Sequence, residues 1–191
     1  SSVNRTGEPP LRDAAAIAAQ FGNEVALIVD DGPSPIGLAS TIVRHTGPKL
    51  EVLREGILTA SDVLHTAADL VLFVCTGNTC RSPLAAAIAR DLAARTLGIT
   101  ANDVLAHGLD FQSAGTGTVP DLPASEGSLA VAAEVDLDLG QHASRQLDPD
   151  LVERATWIVC LAQSHRRAIL AEMPEAAGRI VLLRPDERDI A

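Results

Sequence analysis

Leu70-Val71-Leu72-Phe73-Val74-Cys75-Thr76-Gly77-Asn78-Thr79-Cys80-Arg81-Ser82-Pro83 joins three local signals in one stretch. Leu70–Cys75 is a continuous apolar run, the pattern of a strand buried on both faces. A polar loop containing Gly77 follows. Ser82-Pro83 then supplies a helix N-cap and a proline for the first helical position. The Ala-rich residues after it predict a long helix over Pro83–Leu97. A buried strand that passes through a short polar loop into a helix opens a parallel α/β sheet.

The loop carries chemistry as well as topology. Five residues separate Cys75 from Arg81. Successive backbone N–H groups in such a loop can converge on one anion, and the helix N-terminus adds partial positive charge. Arg81 can offer a bidentate fork to two phosphoryl oxygens. The same field stabilises a thiolate at Cys75. A thiolate held against a phosphoryl group implies nucleophilic attack on phosphorus and a phosphocysteine intermediate. Gly77 fits a place where the backbone turns sharply or approaches the ligand closely.

Downstream, the alternation continues. Phe111–Ala114, Trp157–Leu161 and Ile180–Leu183 predict further strands, and Pro123–Val135, Leu151–Ala155 and Ser164–Glu172 predict helices. Asp148-Pro149 reads as an N-cap followed by a first-turn proline. Upstream the pattern is poorer. A helix is predicted over Leu11–Phe21, strands over Glu24–Val29, Ala39–Arg44 and Leu50–Leu53, and a short helix capped by Ser61 and running through Ala68. Residues 1–66 hold too little alternating structure to close a covered sheet alone. The expected division is residues 1–66 and residues 69–191.

Composition excludes several classes. The net charge is −10, which disfavours broad binding to nucleic acid or anionic membranes. No apolar run is long enough to span a bilayer, and Ser1–Ala14 lacks a signal-peptide core. Cys75, Cys80 and Cys160 are too few for a secreted disulfide framework, and so a reducing, cytoplasmic compartment is expected. Residue 1 is Ser and the single Met is Met173, and a fragment or processed product is therefore expected. His142 and His165 lack metal-ligand spacing and are expected at the surface or at helix ends.

The stretch Val74–Pro83 resembles the phosphate loop of the low-molecular-weight protein-tyrosine-phosphatase family. The likeness continues through Ser113-Ala114-Gly115, His142-Ala143-Ser144-Arg145-Gln146-Leu147 and Ala162-Gln163-Ser164-His165, over about residues 69–191. The resemblance implies a four-stranded parallel sheet flanked by helices, with a phosphate loop after its first strand. It implies Cys75 as nucleophile and Arg81 as phosphate clamp. Thr76, Gly77, Asn78, Thr79 and Cys80 complete the phosphate loop, with Asn78 as its brace and Ser82 donating to the thiolate. It implies a phosphorylated protein as substrate and no metal or other cofactor. It also suggests that Cys80 can trap Cys75 as a reversible disulfide. The family's general acid stands in an Asp-Pro dipeptide expected just past Ala191, and Asp189 is a second, weaker candidate. Thr79 resembles members that hydrolyse phosphoarginine, and Thr116–Pro120 offers no aromatic ring for phosphotyrosine, so both substrates stand open. Arsenate reductases share a similar loop, but Cys160 has no downstream partner for their relay.

Ser2-Val3-Asn4, Leu27–Pro33, Ala39–Val43 and Leu53-Arg54-Glu55-Gly56 resemble the last third of the threonylcarbamoyl-AMP synthase family. That resemblance implies Ser2, Asn4, Ser40 and Thr41 on the nucleotide side of such a domain. ATP, threonine and bicarbonate are the implied substrates, and some members bind double-stranded RNA. A remnant without the basic half is expected to do none of this. The expected whole is a partial α/β synthase-like segment fused to a protein phosphatase hydrolysing phosphotyrosine or phosphoarginine. The alternatives are a phosphate-binding module without turnover, and synthase activity or nucleotide binding in a full-length first domain.

Overall fold

The computed structural model describes residues 3–186 and 188–190. The chain divides into two units, Ser1–Thr66 and Ala67–Ala191.

In the first unit, α1 (Ala14–Phe21) starts at Asp13, whose carboxylate accepts from the Ala16 N–H at 2.8 Å. That N-cap shortens the predicted helix at its front. β1 (Ile42–Thr46) and β2 (Lys49–Arg54) form an antiparallel hairpin about Gly47, at φ +79°. This turn moves the first strand toward the C-terminus of its predicted span. Glu24–Val29 is not a strand: its apolar side chains find no pairing partner, and Leu27 and Val29 are 79% and 83% exposed. α2 (Ala60–Ala67) is capped by Thr59 and not by Ser61. Thr59 accepts from the Asp62 N–H at 3.1 Å, while Asp62 accepts from the Thr59 N–H at 3.0 Å, a reciprocal capping box.

The second unit is a four-stranded parallel sheet. β3 (Asp69–Cys75) leads into α3 (Arg81–Leu97), and β4 (Leu109–Gly115) follows. α4 (Glu126–Glu134) and α5 (Pro149–Arg154) precede β5 (Trp157–Cys160), α6 (Gln163–Glu172) and β6 (Ile180–Leu182). The strand order is β4-β3-β5-β6. Period-two alternation explains the unbroken apolar run of β3. Leu70, Leu72 and Val74 pack on one face with Leu151, Val152 and Ile169. Phe73 and Cys75 pack on the other with Ala86 of α3. Asp148 caps α5 as expected, accepting from the Leu151 N–H at 2.7 Å, with Pro149 in the first turn.

The chain leaves β3 for β4 on one side and later adds β5 on the other. This places a topological switch point beyond the carboxyl end of β3, where open α/β sheets bind ligands. Cys75 is the last residue of that strand.

Candidate active site

Residues 75–80 curl over the end of β3, and their carbonyls are held from outside. Cys75 O accepts from Thr116 N at 2.9 Å, Thr76 O from Gly117 N at 3.1 Å and Thr79 O from Ser125 N at 2.8 Å. Gly77 O accepts from the Thr118 hydroxyl at 2.6 Å, and Asn78 O accepts from His142 Nε2 at 2.6 Å. In a trans peptide the carbonyl of one residue and the N–H of the next point in opposite directions. Five carbonyls turned outward therefore turn the N–H groups of residues 76–80 inward. The Asn78 N–H shows this directly, donating to Cys75 Sγ at 3.3 Å. An array of inward amides beside a helix N-terminus is an anion cradle.

Asn78 is the hub of the loop. It is fully buried and left-handed, at φ +50°, a conformation Asn tolerates better than most residues. Its amide donates to the Ser82 hydroxyl at 3.0 Å and the Ser113 hydroxyl at 2.8 Å, and its carbonyl accepts from Arg145 N at 2.9 Å. Because Ser82 Oγ accepts from Asn78, its own proton is directed at Cys75 Sγ, 2.9 Å away. This corrects the sequence expectation for Ser82 as a cap. α3 begins at Arg81 with Cys80 in the cap position and no side-chain cap bond. The Ser82 hydroxyl faces the Cys75 thiol instead.

Gly77 also differs from expectation. The left-handed turn falls on Asn78, and a Cβ at Gly77 would meet only the Thr79 hydroxyl at 3.6 Å, an ordinary contact. A glycine that the loop itself requires is Gly115, at the end of β4. A Cβ there would lie 2.4 Å from the Thr76 carbonyl oxygen.

Arg81 is half-buried and donates from one guanidinium nitrogen to the Ile190 carbonyl at 2.7 Å. Ile190 also packs against the cluster that includes Phe73 and Cys75. Asp189 caps α6, accepting from Gln163 N at 2.7 Å. Cys75 is buried, whereas Cys80 is exposed, and both are free thiols. Cys160 is buried in the core, and burial pushes its thiol up to about 12.

Two histidines expected at the surface or at helix ends border this loop, and His165 does stand at a helix end, in the first turn of α6. His142 holds the Asn78 carbonyl, and His165 is 2% exposed with Nε2 3.1 Å from the Thr76 hydroxyl. Arg145 stands with His142 in a stretch that carries the family likeness, but no role was expected of it. It reaches the Ser113 carbonyl at 2.9 Å and the Gln112 side chain at 2.6 Å. Gln112 in turn donates to the buried Asp110, which lies 3.6 Å from Arg154. Burial draws Arg145 below the usual guanidinium range, reinforced by Arg154 and opposed by Asp110 and Asp148. The available signal was positional: Ser113 and His165 stand at the carboxyl ends of predicted parallel strands or in the following first turn.

Burial holds His165 below its ordinary 6.5, and the Arg81 charge adds to this while Asp189 opposes it. The unfolded chain then binds more protons than the folded one below about pH 6.5. The stability tied to neutral His165 is full above that value and is lost as pH falls toward and through its lower folded value. We expect the melting temperature to decline from pH 7 to pH 5, and His165→Gln to flatten that part of the profile in thermal denaturation.

In the first unit, Ser2 lies outside the described residues. Asn4 donates to the Glu8 carbonyl at 3.0 Å, bracing a turn. The Ser40 carbonyl accepts from Arg54, and the Thr41 hydroxyl donates to the Leu58 carbonyl at 2.8 Å. A cavity of about 190 Å³ in this unit is lined by Val3, Leu11, Ile17 and Leu38 among others, but by none of Asn4, Ser40 and Thr41. Among the described residues, no helix is long and apolar enough to cross a membrane.

Residues 70–187 match the low molecular weight phosphotyrosine protein phosphatase family, and residues 1–56 match a family described as telomere recombination. A protein-arginine-phosphatase of Geobacillus stearothermophilus is 32% identical over 114 residues, which are 60% of this chain and 68% of that protein. The crystal structure of a low molecular weight protein tyrosine phosphatase from T. tengcongensis superposes with a TM-score of 0.55 at 30% identity, covering 65% of this chain and 81% of that one. A Mycobacterium tuberculosis protein named for threonylcarbamoyl-AMP synthase is 46% identical over 56 residues, 29% of this chain and only 26% of that protein. With its loop, sheet order and matched residues 70–187 in agreement, this chain belongs to the low molecular weight phosphotyrosine protein phosphatase family, preceded at residues 1–56 by a segment similar to part of the threonylcarbamoyl-AMP synthases.

Proposed function

We propose that residues 69–191 form a protein phosphatase working through Cys75, and that residues 1–66 are a synthase-like segment without activity of its own. The observation that carries this reading is the outward capture of five successive loop carbonyls, which aims the amides of residues 76–80 at the space above Cys75 Sγ.

The phosphoryl group sits in that cradle, with the Arg81 guanidinium on its oxygens. The Cys75 thiolate, receiving hydrogen bonds from Ser82 and the Asn78 amide, attacks phosphorus. The S–P bond forms as the bond from phosphorus to the leaving oxygen or nitrogen breaks, and the leaving group takes a proton. Water then attacks phosphorus, the S–P bond breaks, phosphate leaves and the thiolate is restored. Asp148 is committed to the α5 cap. The family resemblance assigns the proton transfers to the Asp of an Asp-Pro dipeptide. An oxidant that removes two electrons and two protons would join Cys75 to Cys80 and block the cycle reversibly.

Thr79 is a small polar residue whose hydroxyl lies across the loop beside Gly77, and the rim Thr116–Pro120 carries no aromatic ring. Both features favour a guanidinium over a phenyl leaving group. The test is a single-turnover assay on phosphoarginine and phosphotyrosine peptides, with acid-quench detection of phosphocysteine. A faster burst with phosphoarginine is expected. Equal bursts, or a tyrosine preference, would remove the weight placed on Thr79. Tight phosphate binding with no burst would favour a binding module over an enzyme.

A further inference from the structure

Resting on the phosphatase reading, we infer that the Thr76 hydroxyl is a donor to the bound phosphoryl group and that His165 is the positioning residue that sets its direction. Thr76 directly follows the nucleophile and is exposed. His165 is buried in the first turn of α6, with Nε2 3.1 Å from Thr76 Oγ1. Its other ring nitrogen, Nδ1, is buried with no hydrogen-bond partner among the described residues.

A neutral imidazole carries one proton, on one nitrogen or the other. A proton on Nδ1 would leave a buried N–H orphaned, a rare and costly arrangement. It would also set that N–H dipole in the positive field of the α6 N-terminus, which favours a lone pair. The proton therefore belongs on Nε2, where it is donated to Thr76 Oγ1. With its oxygen accepting from His165, Thr76 turns its own proton away from α6. The anion cradle next to Cys75 is then the place for that proton to go. The pair adds a side-chain donor to a site otherwise built from backbone amides and Arg81. The contact is made to bound phosphate as well as to substrate, so its loss falls on affinity first.

The experiment combines two readouts on the full chain. Long-range proton–nitrogen NMR of the histidine ring reads the tautomer, and calorimetric titration with inorganic phosphate reads the donor. The expected spectrum has the His165 proton on Nε2. Thr76→Val should weaken phosphate about tenfold, the size of one hydrogen bond to a charged group. His165→Leu should match it, and the double variant should lose no more. His165→Gln, whose amide can still donate, should stay within about twofold of the parent. A proton on Nδ1, unchanged phosphate affinity in Thr76→Val, or losses that multiply in the double variant would overturn the inference. Thr76 is exposed, so its variant keeps the test alive if His165→Leu fails to fold. If the parent chain bound no phosphate, the phosphatase reading itself would fall, an outcome told apart because every variant would then behave alike.

Discussion

Cys75→Ser is expected to reduce phosphate release by on the order of 10⁴-fold or more, the loss that follows removal of a nucleophile. Inorganic phosphate or vanadate should still bind within about tenfold of the parent, because the anion is held by groups the substitution leaves in place. Those groups are the inward amides of residues 76–80 and the Arg81 guanidinium. Ser at this position is small enough for the buried strand end. Its hydroxyl remains a poor nucleophile because, among the described residues, the groups hydrogen-bonded at Cys75 Sγ are donors and not a general base: Ser82 and the Asn78 N–H. Single-turnover kinetics and calorimetric titration on the same preparation separate the two effects. Undiminished hydrolysis in the variant would sink the phosphocysteine mechanism, while equal loss of turnover and of phosphate affinity would show that the loop had collapsed.

The second large effect is expected at Asn78. Asn78→Ala removes the partner of the Ser82 hydroxyl, the Ser113 hydroxyl and the Arg145 N–H at once. It also places a residue that disfavours left-handed backbone at φ +50°. Buried groups left unpaired, together with the conformational cost, put the destabilisation at about 3–5 kcal/mol. Ser82 would no longer be held to donate toward Cys75, and kcat/KM should fall on the order of 10²-fold from misplacement alone. Asn78→Asp is the informative control. It tolerates the same backbone and keeps an acceptor for Arg145 N, but it cannot donate to either serine. Urea unfolding and steady-state kinetics on both variants check the scheme. Stability and kcat/KM both near parental values in Asn78→Ala would remove Asn78 from the centre of the loop.

The local parts of this protein were legible because their causes are local. The apolar run of β3, the polar loop and the Asp148-Pro149 cap all draw on residues within a few positions of each other. The placement of Cys75 at the strand end and Arg81 at the helix start followed, since both lie at the edges of that loop. The first unit was less legible. Glu24–Val29 has strand composition, but a strand needs a partner, and partners are not written in the segment itself.

The sequence by itself determined that a buried strand delivers Cys75 to a polar loop at the head of a helix, because hydrophobic period acts over a few residues. Only the tertiary structure decided how that loop is held. Ser82 gave up the cap for the thiol because Asn78 reaches across to it. Ser113, His142, Arg145 and His165 arrive from separate elements brought to one end of the sheet by its strand order. A hydrogen bond depends on positions within a few tenths of an ångström, and chain separation carries no record of which distant groups will meet that condition.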